Sequence, residues 1–182
     1  HTKQYRYNYF TGRVDKSASF EITGASIGLA KRLRIPDDYF TLSQSLAFQY
    51  YNLNNYYTGL FPFGDGSSNN LSYTVALSRN NTFTNPIFPL GGSEFVLSAR
   101  FSLPYSLWNG IDYANLEDLE KFQDDNGNPD PAKIEQEKFK WLEFYKIKFK
   151  GSWYTRLFDK LVLRTHTEFG FLGAFNNDRG VI

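Results

Sequence analysis

Cysteine and methionine are both absent from the 182 residues, and histidine occurs only twice. Without cysteine there is no disulfide framework, no thiol nucleophile and no thiolate metal site. Two histidines, one of them the first residue, give no basis for a nucleophile–histidine–acid triad, and no catalytic residue is assigned. A dominant charge is also missing. Twenty Lys and Arg against 19 Asp and Glu leave +1, so no basic field points to nucleic acid. No apolar run approaches the ~20 residues of a membrane-spanning helix, which excludes helical spans and leaves strand-built ones open. The chain opens at His1 without a signal-peptide pattern and holds no Met, so it reads as an internal piece of a longer protein.

What is abundant is aromatic: 18 Phe, 13 Tyr and 3 Trp make up 19% of the chain, well above what a soluble domain needs. These residues recur with period two, the strand period. Seven strands are predicted near residues 1–8, 18–35, 39–54, 69–81, 93–104, 139–154 and 159–175. Leu71, Tyr73, Val75 and Leu77 share one face of the fourth, and Phe95, Leu97 and Phe101 one face of the fifth, opposite Glu94 and Arg100. In the sixth, Trp141, Ile147, Phe149 and Trp153 alternate with Lys146, Lys148 and Lys150, the apolar row being broken by Glu143. In the last, Leu161, Leu163, Phe169 and Phe171 oppose Arg164, His166 and Glu168. No internal domain boundary interrupts the pattern. Short connections (35–39, 154–159) alternate with longer ones (8–18, 54–69), the longest being the acidic stretch 105–138. A soluble domain rarely carries such loops, whereas outer-membrane barrels alternate tight periplasmic turns with long external loops.

A soluble sandwich and a membrane barrel both have one apolar face per strand, so length has to decide. Soluble strands run ~5–6 residues and tilted membrane strands ~9–11; most segments here reach the second figure. Trp141 and Trp153 on one strand would stand roughly 40 Å apart at ~3.3 Å per residue, close to the spacing of the two interfaces once tilted. Strands in hydrocarbon must pair all their backbone groups, so seven strands read as a wall section completed by others. The fold class expected is therefore all-β, a partial antiparallel transmembrane β-barrel.

The stretch NPIFPLGGSEFVLSARFSLP (85–104) then becomes informative. Phe88, Pro89 and Gly92 form a Phe-Pro-x-x-Gly turn ahead of a long alternating strand, which resembles the BamA-type outer-membrane insertase superfamily. SIGLAKRLRIPDDYFTLSQSLAFQYYNL is similar to a hairpin of that family, and RTHTEFGFLGAFNNDRG to the strand leading into its inward-folded loop. The resemblance covers the whole chain as the middle strands of a sixteen-stranded barrel. It implies residence in the outer membrane of Gram-negative bacteria and insertion of nascent β-barrel clients, with no bond made or broken and no cofactor. The partners it implies are outer-membrane lipids, client proteins, accessory lipoproteins or surface partners, and the remaining strands of the same barrel. The periplasmic repeats, the seam strands and the Arg-Gly-Phe loop motif of the family are not in this sequence. The inward-folded loop is expected to dock on the row Arg164, His166 and Glu168.

Two constellations have a chemical alternative. His166-Thr167-Glu168 has a metal-like spacing, but both side chains fall on the polar strand face and read as lumen polarity. Asp124, Asn126, Asn128 and Asp130 have calcium-like spacing, but the Gly is misplaced, Pro129 interrupts and the twelfth position lacks an acid, so no metal is expected. The competing readings are an outer-membrane channel or exporter, of porin or two-partner secretion type, and a soluble carbohydrate-binding sandwich.

Overall fold

The computed structural model describes residues 1–82, 89–124 and 126–179. They form one seven-stranded antiparallel sheet in which spatial order equals chain order. The strands are β1 (Thr2–Asn8), β2 (Arg13–Leu33), β3 (Phe40–Asn54), β4 (Gly66–Asn80), β5 (Gly92–Ser102), β6 (Tyr145–Phe158) and β7 (Leu161–Gly173). The meander is not closed, and β1 and β7 are its two edges. From β2 onward the strands run 11 to 21 residues, far beyond the usual soluble length. A sandwich needs a second sheet, and the described residues form only this one.

Antiparallel order puts the connections 34–39, 81–91 and 159–160 at one end and 9–12, 55–65 and 103–144 at the other. The expected long link at 8–18 is instead a tight hairpin. Asn8 closes it by accepting from the N–H groups of Phe10 and Thr11, and Gly12 turns with φ +65°. Arg13, Val14 and Asp15 then pair with β1, and a register shift between Tyr5 and Arg6 absorbs residues 16–18.

The acidic connection 105–138 also departs from a simple loop. It folds into 3-10 turns at Tyr105–Leu107, Tyr113–Asp118 and Glu120–Phe122, followed by α1 (Pro131–Phe139). Asp130 caps that helix, its carboxylate accepting from the N–H groups of Ala132 and Lys133, and Pro131 occupies the first turn, where no N–H is needed. Consequently the sixth strand starts at Tyr145 rather than 139. Phe139 and Trp141 continue the alternation of the strand by coincidence: the first ends a helix, and the second lies in the link that follows.

That link completes the sheet. β5 ends at Ser102, opposite Ser72, leaving the outer part of β4 without a neighbour. Residues 140–144 take the vacant place: Asn69 N–H donates to the Lys140 carbonyl at 2.9 Å, Leu142 N–H to the Asn69 carbonyl at 2.8 Å, and Ser102 N–H to the Phe144 carbonyl at 2.9 Å. Both clusters of buried apolar residues sit at this long-connection end. Leu53, Phe61, Phe63 and Leu142 form one, and Tyr113, Leu116, Phe122 and Ile134 the other, within the folded insertion.

Candidate functional site

Cross-strand partners project to the same side of a sheet, so the register sorts every side chain. Tyr73 faces Phe101, Leu77 faces Leu97, Leu97 faces Phe149 and Ala99 faces Ile147. Leu71 and Val75 share that side by parity, and Phe95 and Trp153 join it opposite Gly151 and Ser93. Ile27, Leu29, Leu46 and Phe48 extend the face across β2 and β3, and Phe169 and Phe171 across β7. Among the described residues no second layer covers it: Leu29 is 80% exposed, Ile27 71%, Phe171 63% and Trp153 63%.

The opposite side is polar along β4 to β6 and turns apolar only at the long-connection end, where Leu53, Phe20 and Tyr51 meet the insertion. Glu94 faces Ser152, Arg100 faces Lys146, and Ser98 faces Lys148. Its buried members include Ser68, Asn70, Ser72 and Ser102, tucked under the insertion. The order of a soluble domain is thus reversed, with serines inside and leucines out. Along β3 the apolar face runs from Phe40 to Tyr50, roughly 33 Å at ~3.3 Å per residue and about 25 Å when tilted by ~40°, the height of a barrel's lipid belt. Polar groups begin at both ends, with Asn52 beyond Tyr50 and Arg79 opposite Phe40.

Trp141 leaves β6 but not this face. It lies beside Asn69 of β4, half-buried, its ring 6.5 Å from Phe48 and stacked at 5.3 Å on Tyr105. Trp153 sits opposite Ser93, whose carbonyl accepts from Asn81 N–H. From Asn69 to Asn81 the two Trp levels are roughly 40 Å apart along the strand at ~3.3 Å per residue, about 30 Å along a normal tilted by ~40°. The spacing expected from one strand therefore arises from two different segments.

The two charged rows of β6 and β7 are offset along the strands. Lys150 does face Glu168, but Lys148 faces Gly170 and Lys146 faces Leu172. Arg164 and His166 lie opposite Tyr154 and Ser152. Arg164 donates to Ser152 Oγ at 3.1 Å with its guanidinium 5.7 Å from the Tyr154 ring, and His166 Nδ1 is 2.9 Å from the same Oγ. Arg100 donates to Thr74 Oγ1 at 3.1 Å. Among the described residues, Lys146, Lys148 and Lys150 form no ion pair.

Of the turn motif, Phe88 lies outside the described residues, and Pro89 is in irregular chain. Gly92 has a physical reason. Its φ is +94°, and a Cβ there would stand 2.3 Å from the Asn81 carbonyl oxygen. The Asp124 carboxylate, placed above in a calcium-like row, is occupied in closing its own turn, accepting from Asn126 and Asn128 N–H at 2.8 and 2.9 Å. Those backbone donors, Asn128 first, hold its pKa below the usual value.

Two ion pairs escaped the sequence reading. At the short-turn rim of the apolar face, Arg79 donates to Asp37 Oδ2 from Nε at 2.9 Å and Nη2 at 2.8 Å, and to Ser93 Oγ from Nη1 at 2.7 Å. The Arg79 guanidinium keeps the Asp37 carboxyl below its ordinary pKa. Parity alone placed Arg79 in line with Leu77, a cation at the edge of an apolar row. At the other end, Arg179 and Glu143 form a buried pair, the carboxylate also accepting from Ser106 N–H and Oγ–H. Arg179 further donates to the Lys138 and Trp141 carbonyls and lies over the Tyr113 ring at 4.8 Å. Glu143 had signalled this site as the one acid in an apolar row. Comparison of the sequence with protein-family models and with curated proteins gave no match.

Proposed function

We propose that this chain is a wall section of an outer-membrane β-barrel, and that the barrel inserts other β-barrel proteins into the membrane. The reversed amphipathicity carries the first part: an apolar face of barrel-belt height, broken at Gln44 and uncovered among the described residues, backed by a side rich in serines and lysines. In water such a face would drive edge-to-edge and face-to-face aggregation, whereas lipid is a solvent that suits it. The two open edges fit completion by further strands, sixteen in all on the resemblance stated above. That resemblance, carried by Phe88, Pro89 and Gly92 and the strand behind them, supports insertase activity; lipids, client strands and accessory lipoproteins are the partners that go with it.

A second reading, an anion-preferring channel or exporter, is favoured by one observation, the row Lys146, Lys148 and Lys150 on the polar side, which forms no ion pair among the described residues. One experiment separates the two. Depleting the protein from cells should lower the assembled fraction of unrelated outer-membrane barrels if it is an insertase. Ion conductance of the purified protein in planar bilayers, with barrel assembly unaffected by depletion, would replace that reading with the channel. Heat-modifiable migration and retention in carbonate-washed membranes test the barrel itself.

A further inference from the structure

A groove of 580 Å³ crosses the apolar face near the short turns, within the size range of small-molecule sites. Its floor is made of small residues amid large ones. Ser93, Thr165 and Thr167 are the small ones, while the Phe149 ring leans over Gly151, where a Cβ would stand 3.1 Å from it. Phe95 and Phe149 wall one side and Trp153 the other, and the end toward β3 is closed by Phe40 and the Arg79–Asp37 pair.

That end carries both signs of charge. Among the described residues, three of the five N–H groups of Arg79 are used, by Asp37 and Ser93, which leaves two donors for an oxyanion. Asp37 accepts from Arg79 on one oxygen and from Tyr39 N–H on the other, and a carboxylate has lone pairs for further donors. The Asp37 side chain is 33% exposed and that of Arg79 17%. An anionic headgroup would meet Asp37 as a repulsive neighbour; a headgroup carrying a phosphate and an ammonium complements both members.

Resting on the membrane-wall reading above, we propose that this groove holds one zwitterionic phospholipid of the phosphatidylethanolamine type. An acyl chain lies over Thr165 and Thr167 between the Phe149 and Trp153 rings, the phosphate meets Arg79 and the ammonium meets Asp37. The site is on the short-turn side, so the lipid belongs to the leaflet that those turns face.

The test uses the full-length protein in nanodiscs of mixed phosphatidylethanolamine and phosphatidylglycerol, with lipids retained after detergent washing counted by native mass spectrometry. Wild type should keep one phosphatidylethanolamine in preference to phosphatidylglycerol. Thr167→Phe, which fills the floor with a strand-forming apolar side chain, should lower retention about tenfold, while Leu29→Phe on the same face leaves it unchanged. Asp37→Asn, outside the sheet, should keep the lipid count and lose the preference. Equal retention by Thr167→Phe and wild type, equal loss in Leu29→Phe, or preferential retention of phosphatidylglycerol or a glycolipid by wild type would each overturn the site. Release of the protein from membranes by carbonate alone would fail earlier and overturn the wall reading together with it.

Discussion

Leu116 of the insertion is 1% exposed and Leu29 of β2 is 80% exposed, yet each sits in regular structure with its backbone paired. The insertion obeys the rules of a protein in water. Tyr113, Leu116, Phe122 and Ile134 turn inward, charges such as Lys121 and Glu120 turn out, and a capped helix closes the unit. The sheet inverts those rules, with aliphatic side chains outward and serines behind. Composition cannot account for the difference, because both regions are rich in aromatics and aliphatics. Topology can: α1 and the 3-10 turns bring distant residues together around a center, whereas a one-layer sheet has no inside until another surface or solvent supplies it. The buried Glu143–Arg179 pair marks the border between the two regimes.

Substitutions should therefore act by opposite rules on the two sides of that border. The largest effect is expected from Arg179→Leu, which strands the Glu143 charge in a buried setting and should cost about 3–5 kcal/mol of local stability. Hydrogen exchange across 105–144 reads it, and unchanged protection there would remove the pair from its role as anchor. Leu116→Ala should cost about 2–5 kcal/mol, again confined to the insertion, by opening a cavity in a close-packed cluster. On the sheet, the proposed membrane wall sets the cost of Leu97→Arg at about 2–4 kcal/mol, measured by urea titration in lipid; a silent substitution there would break the comparison, since an aqueous surface tolerates arginine. Asp130→Ala, which removes the α1 cap, should cost about 0.5–2 kcal/mol and raise exchange only in the helix's first turn. The smallest effect concerns pH. Asp124 titrates lower folded than unfolded, so its contribution is complete above the ordinary carboxylate pKa and is lost as pH falls through that value toward the folded one. Exchange at Asn126 and Asn128 N–H should rise over that acidic window, and Asp124→Asn should flatten the dependence.

The seven strands, and which residues of β4 and β5 share a face, were legible because period two is a local signal that survives in any solvent. Leu71 to Leu77 and Phe95 to Phe101 needed nothing beyond their neighbours in sequence. The start of β6 was not legible from alternation. Phe139, Trp141 and Tyr145 keep the beat across a helix end and a link, and the contrary signals, Asp130-Pro131 as a helix start and Glu143 as an acid among aromatics, resemble a metal row and a simple interruption when met alone. The first connection was overextended for a related reason: Arg13, Asp15 and Lys16 are polar, and polar residues at a strand end look like loop. Neither ion pair could be located by spacing, because Arg79 meets Asp37 and Arg179 meets Glu143 only through tertiary contact.

The short β5 has a consequence for how this protein tolerates change. Because residues 140–144 stand in for the missing end of that strand, the insertion is divided into a replaceable part and a fixed splice. An epitope tag placed at Gly127, a turn residue with φ +80° and open space around its Cα, would leave every ladder intact. A deletion that reached Lys140 or Leu142 would bare the N–H and C=O of Asn69 and turn a peripheral edit into a tear in the sheet.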